Sequence, residues 1–447
     1  MSTTPEQPEY EFLLFYRYRN RYESITAVYH KGCEFSSCCE WWVSVRIKLN
    51  LHIMPPSPNF GPDALPHRKV LQEFFKAIDL DKLELLRDTV TKITFEPASS
   101  TENPIFIPIR EGCDNKKNPY IESLSSMTYK IEEDESRIQW PPFDQVQIPD
   151  IPVFDLENDF ENFLFLNLSV MKVQIGEKIY AYKAIERLYY EPRDTQNVLA
   201  EMTALAKYRG YPNIAQIVGL VKSDDPYTTD RNGPMPAVLT GFLCEYYPGG
   251  TLHDMMNNPE AWKKVDESLI MKWAIQIGTA LHAMHKNGCT HIGVKPHNIM
   301  IDGNQDAVLI DIGGTGGFKL QWEFGSFITI MKNSFALAED PDAVLEDIGG
   351  RIEFDRNWVP LHITNRFQIW SPSHNLAALP FQQRVALDCW TYGKLLSVMV
   401  PDTGPLNTLE RVANVLMMID PEAQNSSSNC SLSDSLAILN NKRDMEN

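Results

Sequence analysis

A few polar residues in this chain have types and spacing that suit chemistry. Lys183 lies in "YAYKAI", just after a turn at Gly176-Glu177, and Glu201 opens "EMTALAKY" eighteen positions later. From Thr290 to Gly303 the chain reads "THIGVKPHNIMIDG", which contains Lys295 and Asn298. Asp311 follows in "VLIDIGG", directly before Ile312, Gly313 and Gly314. A lysine gives a fixed positive charge for a phosphate, and a partner carboxylate keeps its flexible side chain aimed. Aspartate and asparagine offer the oxygen ligands that a hard divalent cation prefers. Each residue also has a plain alternative. Lys183 is then an ordinary surface lysine in a strand, Glu201 a solvated helix residue, Asn298 a loop hydrogen-bonder and Asp311 a turn residue.

The elements that must position these residues are readable from their patterns. "FLFLNLSVMKVQIGEKIYAYKAI" (Phe163 to Ile185) reads as successive strands, and "TQNVLAEMTALAKY" (Thr195 to Tyr208) as a helix. "AVLTGFLCEYY" (Ala237 to Tyr247) reads as a strand running into a loop. "SLIMKWAIQIGTALHAMHK" (Ser268 to Lys286) has the apolar period of a long helix. Strands first and helices later imply a two-lobed α+β architecture.

An earlier region stands apart. "EFLLFYRYRNRYESITAVYH" (Glu11 to His30) and "WWVSVRIKL" (Trp41 to Leu49) favour strands. "HRKVLQEFFKAIDLDKLELLRDTV" (His67 to Val90) places Val70, Leu71, Phe74, Phe75 and Ile78 at helical spacing, a stripe that reads as core. "QWPPFDQVQIPDIPVFDLEN" (Gln139 to Asn158) is rich in proline and acids and reads as an extended linker. The organisation expected is therefore an α+β N-terminal region of unknown function over 1–138 and a Pro-rich linker over 139–160. A two-lobed domain then covers 161–440, with a β-rich N-lobe at about 161–245 and a helical C-lobe at about 250–440.

Bulk properties narrow the function. The 447 residues are 43 % hydrophobic and 22 % charged, ordinary for a globular protein, with a formal net charge of -18. Such acidity repels phosphate backbones and anionic membrane surfaces, so neither nucleic acid nor a membrane is the expected partner. No run approaches the roughly 18 apolar residues of a membrane helix. The opening "MSTTPEQPEYEF" lacks the basic end and apolar stretch of a secretory signal, which implies an intracellular protein, cytoplasmic or nuclear. Eight cysteines are scattered without C-x-x-C or zinc spacing and read as reduced thiols.

Taken in order, "YAYKAI", Glu201, "PNIAQIVGLV", "LCEYYPGGTL", "HIGVKPHNIMI", "VLIDIGG" and "DCWTYGKLL" resemble the protein-kinase family over about Phe163 to Leu439. The resemblance implies ATP and Mg²⁺ as cofactors. It makes Lys183 the lysine on the α- and β-phosphates and Glu201 its ion-pair partner. Cys244 would border the adenine pocket, and the backbone of Glu245 and Tyr247 would bond the adenine edge. Asn298 and Asp311 become metal ligands, and Lys295 supports the γ-phosphate in the manner of Ser/Thr-type loops. His291 and Asp388 become internal supports of the loop.

The departures weigh as much. Gly293 stands where the family places the catalytic aspartate, so no intact catalytic set remains. The nearest titratable stand-in, His297, reads as structural. The glycine-rich phosphate cover is absent, and Ile292 replaces the arginine on which a phosphorylated loop docks. The stretch from about 318 to 370 does not align with the family. The reading is an ATP-binding pseudokinase acting through unidentified protein partners, or alternatively an atypical Ser/Thr kinase with slow phosphoryl transfer.

Overall fold

The computed structural model describes residues 10–19, 22–31, 39–48, 64–98, 107–110, 118–166, 169–186, 190–313, 320–321, 353–354, 380–400, 407–417 and 432–446. The unaligned stretch after Gly317, apart from a two-residue ladder pairing Leu320–Gln321 with Glu353–Phe354, lies outside them.

The N-terminal region is a five-stranded sheet in the order β1 (Tyr10–Arg19), β2 (Tyr22–Lys31), β3 (Cys39–Lys48), β4 (Val90–Pro97), β5 (Met127–Glu133). Every pair is antiparallel except β3–β4, which is parallel. A parallel neighbour needs a crossover, and α1 (Ala64–Ala77) lies within it. Alternate residues Ile25, Ala27 and Tyr29 of β2, and Val43, Val45 and Ile47 of β3, face one core, as the strand period of two requires. Leu71, Phe74 and Phe75 of α1, with Ile78 just beyond it, close that core from above. The helix stops at Ala77, the rest of the His67–Val90 stretch becomes a short 3₁₀ turn and then β4, and a short helix, α2 (Pro119–Ser123), precedes β5.

The second sheet has six strands in the order β6 (Val153–Asp155), β10 (Ile217–Asp224), β11 (Ala237–Glu245), β9 (Lys178–Ala184), β8 (Val170–Ile175), β7 (Glu161–Phe165). Helix α3 (Pro192–Lys207) follows β9, starts on Pro192 and has the Asp194 carboxylate accepting the Glu191 N–H at 2.9 Å. The chain then turns helical, with α4 (Leu252–Met256), α5 (Pro259–Trp262) and the long α6 (Glu267–Lys286). A small ladder of β12 (Ile299–Ile301) and β13 (Ala307–Leu309) precedes α7 (Phe381–Met399), α8 (Asn407–Met417) and α9 (Leu432–Glu446). The protein is thus α+β, with a separate N-terminal sheet region ahead of a sheet-rich half and a helical half. Among the described residues no helix is long and apolar enough to cross a membrane.

The Pro-rich segment does not run as a spacer. Leu239 N donates to Pro141 O at 2.9 Å, and β6 pairs in parallel with β10. Phe154, Leu156 and Phe160 pack on Val173, Tyr182, Val221 and Leu243, covering one face of the second sheet. Proline is compatible with this because β6 is an edge strand. Gly219 of β10 provides the seat: a Cβ there would lie 2.4 Å from the Phe154 ring. Gly219→Ala is therefore expected to lift Phe154 from the sheet and cost about 1–3 kcal/mol. In urea denaturation, Gly219→Ala and Phe154→Ala should be strongly non-additive. Additive losses would show that the two residues do not share a site.

Candidate functional site

Lys183 sits on β9, opposite Phe242 of β11 and Val170 of β8. Its side chain is 8 % exposed, and its Nζ lies 2.5 Å from Glu201 Oε2 on α3. The same ammonium also pairs with the Asp311 carboxylate. Burial alone disfavours the charge, but the carboxylates of Asp311 and Glu201 outweigh it and hold the ammonium above its ordinary range. Glu201 is buried because α3 turns Val198, Met202 and Leu205 into the core, which carries Glu201 inward beside them. Gly313 lets the Asp311 segment lie against α3, since a Cβ there would sit 3.1–3.3 Å from the Glu201 Cβ, Cα and N.

Two non-glycine residues of the site have left-handed backbone: Ile292 at φ 51° and Asp311 at φ 61°. For a β-branched residue such as Ile292 this conformation is costly and persists only where surroundings impose it. Asp388, fully buried on α7, supplies the constraint. Its carboxylate accepts from the backbone N–H of His291 at 2.8 Å and of Ile292 at 2.7 Å. His285, at the end of α6, lies 2.9 Å from the same carboxylate. His291 reaches Ile310 O at 2.8 Å, joining the loop to the strand before Asp311. Nothing in the spacing of the sequence pointed to His285, because its partner lies over a hundred residues away.

Asn298 ties the loop together. Its Nδ2 donates to Gly293 O at 2.9 Å, and its own carbonyl accepts from Ile310 N at 3.0 Å. The Asn298 amide oxygen and the Asp311 carboxylate are of the type that a hard cation prefers. Among the described residues no three His, Cys, Asp or Glu come together as a metal cage. A cation here would complete its shell with ligand oxygens and water, as Mg²⁺ commonly does. Lys295 directly precedes the 3₁₀ turn Pro296–Asn298.

At Gly293, a Cβ would lie 3.3 Å from Asn298 Nδ2 and 3.4 Å from His291 Nδ1, so a side chain fits with a few tenths of an ångström of give. His297 is no substitute base. Its ring stacks on His253 of α4 with centroids 3.5 Å apart. Burial first, then the neighbouring His253 and Lys295, push its pKa down to about 3. A base needs a pKa near the working pH to be effective.

At the end of β11, Glu245 N–H is already engaged, donating to Gln216 O at 3.1 Å. Tyr247 is buried, its hydroxyl accepting from Gln216 N at 3.3 Å. Burial raises the Cys244 thiol far above its ordinary value, so this cysteine is not a thiolate nucleophile. The β7–β8 hairpin closes with Leu166 N on Val170 O at 2.9 Å and contains no glycine. Phe163 and Leu164 on β7 are exposed.

Comparison with known proteins gives a consistent picture. The protein kinase domain, as a family, matches residues 169–328. The serine/threonine-protein kinase PKH2 of Saccharomyces cerevisiae is 28 % identical over 138 residues, covering 31 % of this chain and 11 % of that protein. A probable inactive serine/threonine-protein kinase of Dictyostelium discoideum is 22 % identical over 262 residues, 59 % of this chain and 18 % of that protein. The serine/threonine-protein kinase ArnS of Sulfolobus acidocaldarius is 27 % identical over 176 residues, 36 % of this chain and 27 % of that protein. The chain thus spans less than a third of the length of each of these relatives.

The His297 environment yields a pH prediction. Between the ordinary histidine value of 6.5 and about 3, the unfolded chain takes up a proton that the folded chain refuses. The contribution of neutral His297 is complete above about pH 6.5 and is lost as the pH falls toward 3. His297→Phe keeps the stack on His253 and removes the proton site. The stability difference between pH 7 and pH 5, from urea midpoints, should be smaller in His297→Phe than in the parent. An unchanged difference would contradict the assignment.

Proposed function

Because the chain belongs to the protein kinase superfamily, we propose that it is an ATP-binding pseudokinase that acts by engaging protein partners. The observation that carries this reading is a contrast within one site. Lys183, Glu201 and Asp311 are drawn together in a buried cluster, while the neighbouring loop has Gly293 in place of a proton acceptor.

In this reading Lys183 holds the nucleotide phosphates, and Glu201 keeps the lysine aimed. Asp311 and Asn298 hold Mg²⁺, which neutralises phosphate charge when bound. Lys295 supports the terminal phosphate. The backbone of Glu245 and Tyr247 borders the base, with the carbonyl of Glu245 offered rather than its engaged N–H. The bulky β7–β8 hairpin favours loose over tight nucleotide binding, because backbone approach to phosphates is easiest with glycine. The acidic composition and the missing acceptor together support a protein that binds proteins inside the cell.

A second reading, slow Ser/Thr-type phosphoryl transfer, draws on the strained backbone at Ile292 and Asp311. Left-handed backbone at both residues holds the loop in one shape, and transfer depends chiefly on positioning and charge. The loss of a general base removes about 10²- to 10⁴-fold in rate and leaves Lys183, Asn298 and Asp311 in place.

Mg²⁺-dependent ATP binding, by thermal shift and calorimetry, tests the first reading. Saturation at 100 times the dissociation constant should stabilise the fold by about 2.7 kcal/mol. The shift should vanish in Lys183→Met and Asp311→Asn, each compared with its own nucleotide-free midpoint. A folded parent that shows no shift at millimolar ATP would leave a nucleotide-independent scaffold. For the second reading, Gly293→Asp should fold as the parent does and raise phosphate transfer to a hydroxyl substrate by about 10²-fold or more. Equal rates in both proteins would exclude a role for the vacated position.

A further inference from the structure

The N-terminal sheet is joined to the second sheet through the loop between β10 and β11, and every polar backbone and side-chain group of one residue there is engaged. Thr229, 1 % exposed, donates its N–H to Asp88 Oδ1 at 2.9 Å and accepts the Asp88 N–H on Oγ1 at 2.8 Å. Its carbonyl accepts from Glu40 N at 3.0 Å. Arg231 Nη2 adds an ion pair with Glu40 Oε2 at 2.8 Å. Glu40 belongs to β3 and Asp88 to the turn before β4, so all these partners come from the N-terminal module.

Two residues away, Tyr227 is nearly buried and carries the contact onward. Its ring meets Trp42 of β3 edge-on at 5.0 Å and lies 5.0 Å from Trp140 on its other partner segment. Its hydroxyl accepts from Ile138 N at 3.1 Å. The next residue, Gln139, enters a closed ring of three hydrogen bonds. Gln139 N–H donates to Tyr190 Oη at 2.9 Å, Tyr190 O–H to Thr195 Oγ1 at 2.8 Å, and Thr195 O–H to Gln139 O at 2.8 Å. Tyr190 and Thr195 are both buried, so breaking this ring leaves polar groups without water.

Thr195 lies in the first turn of α3, and Glu201 is six residues further along the same helix, about 9 Å at the usual helical rise. The chain of contacts therefore runs from the N-terminal sheet, through Thr229, Tyr227 and Gln139, to the helix that carries the Lys183 partner. The N-terminal end of α3 is held by groups that depend on the docked module, and Glu201 is held by Lys183 and by the close approach of Gly313.

We propose that the N-terminal sheet is an intramolecular docking module that sets the position of α3, with the 225–231 loop as its receptor and Tyr227 and Thr229 as positioning residues. Docking favours the paired state of Lys183 and Glu201, and release of the module loosens it. Reciprocity requires that loosening α3 also weaken docking. The inference concerns the nucleotide-free protein and stands apart from whether ATP binds.

Hydrogen exchange of the full chain without nucleotide tests it. Thr229→Val removes the acceptor for Asp88 N–H, while Thr229→Ser retains it. Thr229→Val is expected to raise exchange about tenfold in α3 as well as in the 225–231 loop, with α6 unchanged and Thr229→Ser like the parent. Thr195→Val, at the other end, should raise exchange in the 225–231 loop. Tyr227→Phe keeps both ring contacts and removes only the acceptor for Ile138 N–H. It decides the matter where Thr229→Val also loosens α6. Faster exchange in α3 with α6 intact supports the proposal. Unchanged α3 in Tyr227→Phe, or a loosened loop with α3 unaffected in Thr229→Val, would overturn it.

Discussion

The site depends on one buried ammonium. Taking the Lys183 charge out of water costs several kcal/mol unless it is paired and hydrogen-bonded. Glu201 and Asp311 come from two different parts of the chain to meet that need. Three elements that share no backbone hydrogen bonds are thereby fixed to one another: β9, α3 and the segment after β13. The close fit of Gly313 on Glu201 permits this convergence, since a larger residue would push α3 and the Asp311 segment apart. Removing the lysine would leave the buried Glu201 carboxylate facing that of the partly exposed Asp311.

A second constraint keeps the loop in register with that cluster. Left-handed backbone at Ile292 has no local justification, because no glycine or asparagine eases it. The cost is met by Asp388, whose two oxygens take the N–H groups of His291 and Ile292 in a buried setting. Charge-assisted bonds of this kind are roughly twice as strong as neutral ones. The strain is thus imposed by the helical half and transmitted through His291 to Ile310, directly ahead of Asp311. Strain held by a distant helix means that the loop geometry reports on the integrity of the whole lower core.

Much of the fold was legible because its signals are local. The α+β class followed from strand periods giving way to helical ones, and α1 announced its core face through Leu71, Phe74 and Phe75. Ordered short motifs pointed to the family although each was weak alone. What sequence hid was through-space. The segment 139–160 read as a linker because its prolines dominate, yet Phe154, Leu156 and Phe160 lie on the sheet, with Gly219 as the seat. His285 carried no signal, since only folding brings it to Asp388. The ring of Gln139, Tyr190 and Thr195 joins parts of the chain more than fifty residues apart through common residue types. The structure brings Lys183, Glu201 and Asp311 together and links Asn298 to Ile310 and Gly293. It leaves the roles of Glu245, Tyr247 and Lys295 as part of the functional proposal.

The glycine that departs from the family pattern sits at a position the fold needs little. Gly293 contributes its carbonyl to Asn298, a bond that any residue could supply, and a side chain there fits with a few tenths of an ångström of give. A carboxylate there could be lost with little effect on packing. Lys183, Glu201 and Asp388 are different, because each is buried and satisfies another group, so folding alone gives reason to keep them. Asp311 is the informative member. One carboxylate suffices to balance one ammonium, and Glu201 already does so. A second leaves the cluster with one formal negative charge in surplus, on a residue that also bears left-handed backbone. Stability would favour an asparagine or glycine at such a backbone position. The Asp311 side chain is partly exposed, and its oxygens are of the kind a hard cation takes. The second carboxylate, more than the buried pair, fits the nucleotide-binding role proposed above.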